Sequence, residues 1–251
     1  MAEYHSSVAL TAPRHRSAGR GGAWIQEGWG LFKALPGLWL GLILLWMLIQ
    51  FAAGIVPLAG FIMAILGPAL NAGILFAARD QEQSGQFGIG HLLAGFRSER
   101  FGQLALLGFF TLLLMLLVAL VIGIVFALLL GGDFDPEAMQ IGSAQILVGL
   151  LLLLVLMLPA IMAVWFSGSL VALHDCTPMQ AFKLSFAGCL KNIGSLTVFS
   201  LILIPLSLLA MLPLGLGLLI LLPVGFLAMY RAYIDIFRAP SEAAQGGFDL
   251  G

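Results

Sequence analysis

Hydrophobic positions run along this chain in four unbroken tracts: no Asp, Glu, Lys or Arg occurs over 34–78, 101–132, 138–174 or 192–230. A helix crossing the roughly 30 Å hydrocarbon core takes about 20 apolar residues. The first tract therefore holds two crossings, the middle two hold one each, and the last holds two short ones. The pattern predicts six spanning helices, over Leu38–Val56, Leu58–Ala78, Gln103–Leu130, Ala144–Ala172, Leu196–Leu212 and Leu214–Ile236. Helices are required because lipid offers an open sheet edge no hydrogen-bond partner. The expected fold class is all-α, a polytopic membrane protein with six transmembrane helices in three hairpins.

Between the tracts the period changes to that of an amphipathic helix. In "WIQEGWGLFKAL", Trp24, Ile25, Gly28, Leu31, Phe32 and Leu35 share one arc, while Gln26, Glu27, Gly30 and Lys33 lie opposite. In "FGIGHLLAGFRSERFG" the stripe is Ile89, Leu92, Leu93 and Phe96. In "TPMQAFKLSFAGCLKNIG" it is Met179, Phe182, Phe186, Cys189, Leu190 and Ile193, with Thr177 and Gln180 spaced as a capping box and Pro178 at the first helical position. Each stretch passes a basic residue and a helix breaker before the next apolar tract: Lys33 then Pro36-Gly37, Arg100 then Gly102, Lys191 then Gly194.

The second helix of each pair contains a proline and ends near an aspartate: Pro68 and Asp80, Pro159 and Asp175, Pro223 and Asp235. A basic or imidazole group stands beside each, as Arg79, His174 and Arg231. The chain thus reads as three copies, 24–80, 87–175 and 177–235, of one unit in which a surface helix precedes a spanning hairpin. Residues 1–23 are expected to be a disordered basic tail, 24–236 the six-helix domain, and 237–251 a disordered tail. No helix-length apolar run precedes Leu38, and the first spanning segment leads straight into a second. It is expected to stay as an anchor and not to be cleaved.

Charge sets the orientation. With six crossings, Arg14, Arg16, Arg20, Lys33, Arg79, Arg97, Arg100, Lys183, Lys191, Arg231 and Arg238, all eleven basic residues, fall on one side. The other side receives "GGDFDPEAMQ", with three acids and no base. The positive-inside rule places both termini in the cytoplasm, in a bacterial inner membrane. Composition agrees: 61% of residues are hydrophobic and 9% charged, against roughly 25% charged in a soluble domain. A disulfide between Cys176 and Cys189 is not expected on the cytoplasmic side.

The opening "GWGLFKALPGLW", followed by apolar hairpins, resembles a family of uncharacterised multi-pass inner-membrane proteins of proteobacteria with a W...GW.LF...P signature. The resemblance implies a location and a fold, and no reaction.

Candidate chemistry is sparse. His174, Asp175 and Cys176, with Cys189 and His91, lack the paired short spacings of a zinc site. Ser167 and His174 stand seven apart on one helix, about 10 Å, too far for a nucleophile and its base. The serines read instead as hydrogen-bonding helix to helix. No catalytic residue, cofactor or metal is expected, and no basic stripe with interleaved aromatics suggests nucleic acid. The deepest strongly polar side chains of the predicted spans are Gln50 and Asn71, which read as helix packing or as the lining of a polar path. Trp24, Trp29 and Trp39, with Lys33, Arg79, Arg97, Arg100, Lys183 and Lys191, are the candidate interfacial groups that would meet lipid headgroups. Membrane lipids, and other membrane proteins, are the expected partners. The function expected is a non-enzymatic lipid- or protein-organising component, the alternative being a small-solute or lipid transporter.

Overall fold

The computed structural model describes residues 11–129, 143–174 and 176–238. The acidic loop, Asp175 and the tail from residue 239 lie outside the described residues. The elements in chain order are α1 (Arg20–Ala34), α2 (Pro36–Ile55), α3 (Pro57–Ser84), a 3-10 turn (Ile89–Leu93), α4 (Ala94–Arg97), α5 (Phe101–Leu129), α6 (Ser143–Trp165), α7 (Ser167–Leu173), α8 (Pro178–Lys191), α9 (Ile193–Met211) and α10 (Leu218–Phe237). Among the described residues, six helical segments, with α6 and α7 counted together, are long and apolar enough to cross a membrane.

The boundaries shift from the expected ones for identifiable reasons. α3 runs on to Ser84 because its polar last turns find protein partners. Gln81 accepts from Trp39 Nε1 at 2.7 Å and donates to the Leu31 carbonyl at 2.7 Å, and Gly85 (φ 76°) closes the helix in the left-handed conformation. α10 starts at Leu218 because Leu214 and Gly215 take positive φ in the preceding turn. The crossing expected over 144–172 is broken at Phe166. There the Phe166 N–H donates to Ser185 Oγ at 2.9 Å, and the Ser185 hydroxyl donates to the Met162 carbonyl at 2.7 Å. A hydroxyl from α8 is thus inserted into what would be one α-helical hydrogen bond. The second short element is a 3-10 turn followed by a single α-turn, where a longer helix was expected. The Thr177–Gln180 capping box is present, with bonds of 3.0 and 3.4 Å.

Three times a short element precedes two long helices, and the packing is cyclic. α1 packs on α9 and α10; the 3-10 turn and α4 pack on α3; α8 packs on α6 and α7. Each short element therefore lies against the long pair that stands one place before it in the ring. The small residues that permit close approach recur in register. A Cβ at Gly28 of α1 would meet the Val224 carbonyl of α10, and one at Gly95 of α4 would meet the Ala69 carbonyl of α3; Val224 and Ala69 each follow a proline. Four residues before each glycine stands a ring that bonds an aspartate: Trp24 Nε1 donates to Asp235 Oδ2 at 2.9 Å, and His91 Nε2 lies 2.9 Å from Asp80 Oδ2.

The core sits at the charged end, where Trp24, Trp39, Phe166, Tyr230, Tyr233 and Phe237 are fully buried. The far halves of the long helices are bare, with Phe51 71% and Val155 65% exposed. Such apolar exposure is stable only against lipid or another apolar partner.

Candidate functional site

The charged end is a connected network. The last carbonyls of α10 have no partners within their own helix, and residues 11–16 run alongside to satisfy them. Thr11 N–H and Oγ1 both donate to the Phe237 carbonyl, and Arg14 N–H donates to the Ile236 carbonyl at 3.0 Å. The Arg14 and Arg16 guanidiniums donate to the Asp235 carbonyl, placing cations at the negative end of the helix dipole. Asn192 holds the strap from the other side, accepting from Arg16 N–H at 2.8 Å and donating to the Arg14 carbonyl at 2.9 Å. The Asp235 carboxylate takes Arg16 at 3.0 Å and Arg20 at 2.7 Å. Glu27 and Glu82 both pair with Arg231, and Tyr230 donates to Glu82 at 2.7 Å. Burial alone would lower the Arg20 pKa, but the bonds and charges of Asp235 and Glu27 raise it overall. Arg14 shifts the other way, lowered by burial and then by neighbouring Arg16, against the pull of Asp235.

This corrects the expected tail. The expectation of disorder through residue 23 fails from residue 11 on, because the arginines find carbonyls and a carboxylate of α10 and so order the chain. The interfacial assignment of Trp24 is also corrected. Trp24, Gly28 and Phe32 are buried where α1 packs on α9 and α10, and the Trp24 ring is 0% exposed beside Phe199. Trp39 is equally buried, against Phe87.

Other candidates lie at the surface: Trp29 is exposed with Lys33 Nζ 5.8 Å from its ring, and Arg97 and Lys183 are exposed. Lys191 reaches the Pro13 carbonyl at 3.2 Å. Arg100 donates to the His174 carbonyl, and Arg79 lines a small cavity with His174 and Tyr233. Asn71 accepts from Trp46 Nε1 at 3.0 Å, tying α3 to α2, and Gln50 is exposed.

The possible ligand cluster is dispersed. His91 is engaged by Asp80, and no three His, Cys, Asp or Glu gather among the described residues. Cys189 lies on α8 beside apolar neighbours, and burial pushes its thiol up to about 12 against a smaller opposing effect of Ser185. Ser167 bonds the Val164 carbonyl of the preceding turn, so the serine joining two helices is Ser185. Sequence reasoning missed Ser185, since nothing about one serine beside an amphipathic stripe marks it as the patch for a break nineteen residues away.

Two seams of the ring are closed, by α3 on α5 and by α10 on α2. The third, between α6 and α9, is open. α6 packs chiefly on α5 and α8, and α9 on α1 and α10. A cavity of about 310 Å³ occupies the seam, lined by Leu158, Met162, Trp165, Cys189, Thr197 and Ser200 among others. A second, of about 250 Å³, continues from Trp165 between α9 and α10, past Leu203, Ser207, Gly225 and Phe226. Neither is lined by Asn71 or Gln50.

No protein-family model matches the chain, and no solved structure matches it. A probable inner membrane protein of Burkholderia thailandensis is 28% identical over 208 residues, 76% of this chain and 75% of the relative. The chain is a multi-pass membrane protein. Its six apolar helices and the name of that relative agree on this, and neither assigns an activity.

Proposed function

We propose that the protein is a non-enzymatic component of a bacterial inner membrane that organises lipid by holding a phospholipid acyl chain in the open seam between α6 and α9. The open seam is the observation that supports this most directly. Two of three equivalent junctions are closed by helix packing, and the third presents connected apolar cavities of about 310 and 250 Å³. In a bilayer the chemistry adjoining such a cleft is hydrocarbon, and the larger cavity falls in the range of about 300–1,000 Å³ usual for bound small molecules. Transport would call for a polar path, and the Asn71 carbonyl is spent on Trp46.

The test is a phospholipid carrying a photoreactive group in its acyl chain. Cross-links should concentrate on residues 158–165 and 193–201, and Thr197→Phe with Ser200→Phe should reduce them to the level found on the exposed face of α5 at Leu116 and Leu120. Equal labelling of all outward faces, unaffected by the double substitution, would remove the reading.

In the same proposal the charged end is cytoplasmic, as the positive-inside rule requires of a face carrying every lysine and arginine. The three short elements then lie at the cytoplasmic interface, with the exposed apolar stripe of Met179, Phe186 and Leu190 on α8, continued by Ile193 at the start of α9, turned to lipid. A reporter fused after Gly251 should be active only as a cytoplasmic fusion, and a cysteine placed at Phe134 should react with an impermeant reagent from outside. Labelling at Phe134 from the inside alone would reverse the assignment.

A further inference from the structure

The larger cavity of the open seam is lined mainly by apolar side chains, and two hydroxyls, of Thr197 and Ser200 on α9, stand on its wall. They are three residues apart and so share one face of the helix. We propose that they hold the ester carbonyl at the head of a phospholipid acyl chain, so that the seam takes ester-linked chains in preference to ether-linked ones. The proposal rests on the reading of the seam as an acyl-chain site, and adds which group of the lipid is recognised.

A serine or threonine inside a helix commonly bonds a carbonyl of its own preceding turn. Two on α9 do so: Ser195 Oγ donates to the Asn192 carbonyl at 3.1 Å, and Ser207 Oγ to the Leu203 carbonyl at 2.8 Å. Thr197 and Ser200 lie between these two, and among the described residues their hydroxyls have no hydrogen-bond partner. A cleft that opens on hydrocarbon offers them none either, and a hydroxyl left unbonded in such surroundings is costly. An acceptor carried by the ligand removes that cost. Apolar walls with a few placed polar groups are the usual form of a small-molecule site, the polar groups fixing the orientation of what is bound.

Depth selects the acceptor. α9 begins at Ile193, directly after Lys191 and Asn192 at the charged end. Thr197 and Ser200 follow four and seven residues later, about 6 and 10 Å along the axis. The polar zone of a bilayer is about 5–8 Å deep on each side of the hydrocarbon core, so these hydroxyls lie at its base and just beneath. A phospholipid places its ester carbonyls there, below the phosphate. A carbonyl oxygen has two lone pairs and can accept from both hydroxyls, whereas an ether-linked chain has no carbonyl to offer. Leu158, Met162, Trp165 and Leu201 supply the apolar wall that receives the chain.

The experiment uses the full-length protein in an uncharged maltoside detergent, labelled with a phospholipid that carries a photoreactive acyl chain. The probe is displaced by unlabelled phosphatidylcholine in two forms, dihexadecanoyl and dihexadecyl, alike in headgroup and chain length and differing in the ester carbonyls. The ester should displace it from the seam at about one-tenth the concentration of the ether. Thr197→Val with Ser200→Ala nearly keeps the shape of both side chains and removes the hydroxyls. In that variant the ester should need as high a concentration as the ether needs in the parent. A phospholipid isotopically labelled at its ester carbonyls gives a second reading. The infrared carbonyl band of the bound lipid should lie at lower frequency in the parent than in the double variant, because an accepted hydrogen bond weakens the C=O bond.

Equal displacement by ester and ether in the parent overturns the proposal and leaves seam labelling, and with it the acyl-chain reading, intact. That comparison needs no variant. A double variant that keeps either the ester preference or the lowered band overturns the proposal as well. Labelling spread evenly over all outward faces removes the acyl-chain reading and this proposal with it.

Discussion

Asp235→Ala is expected to lower stability by about 2–4 kcal/mol and to free residues 11–20 for proteolysis. The carboxylate is the shared acceptor for Arg16, Arg20 and the indole N–H of Trp24. Trp24 is fully buried, so its N–H would be left with no partner and no access to water. An orphaned buried donor costs about 1–3 kcal/mol. Breaking a fully buried ion pair costs about 3–5 kcal/mol, and the ion-pair share here is smaller because the Arg16 and Arg20 side chains keep 28% and 35% of their exposure. Asp235→Asn should fall between, since its carbonyl can still accept from Trp24 while the charge is lost. Thermal unfolding in detergent measures the first effect, and the rate of tryptic cleavage after Arg16 and Arg20 measures the second. An unchanged midpoint together with unchanged cleavage would show the network to be decorative.

The second large effect is expected at Gly28. α1 approaches α10 so closely here that a Cβ would overlap backbone atoms of Ala228 and the Val224 carbonyl, neither of which can swing aside as a side-chain tip could. Gly28→Val should therefore push α1 off α10, losing the Trp24 and Phe32 contacts and costing about 3 kcal/mol or more, at the upper end of overpacking penalties. Gly30 stands one half-turn away with open space around it, so Gly30→Ala should be neutral or stabilising by up to about 1 kcal/mol through helix propensity alone. The two substitutions in one helix form their own control. Equal midpoints for both would contradict the close packing of α1 on α10.

Period and charge made much of the fold legible before any coordinates. Tracts without charge have to be helices of membrane length, and five of the six expected crossings match continuous helices, with their ends displaced by one to six residues. Ends were misjudged where a polar residue had a distant partner: Gln81 and Glu82 extend α3 because Trp39, Leu31, Tyr230 and Arg231 meet them. Local composition carries no sign of such partners. The expected three-unit order rested on the recurring stripe, breaker, proline and aspartate.

What sequence could not decide was which surface each stripe would meet. A helix wheel shows that Trp24, Gly28 and Phe32 share a face, but an apolar face pairs equally well with acyl chains and with another helix. The choice fell to Gly28 and to Asp235, one allowing contact with α10 and the other rewarding it, and both act across some two hundred residues of chain. The sites follow the same division. Arg79 and His174 were visible as basic neighbours of aspartates, whereas the cavity they share with Tyr233 exists only where three pairs end together. The open seam at Trp165 has no local signature, because it is a failure of two helices to meet. Hydrophobic period and charge thus determined by themselves that the chain spans a membrane and which end gathers its cations. Tertiary packing decided that one face of the first short helix and the arginine strap pack against α10, and where the bundle stays open, since those outcomes depend on partners far away in sequence.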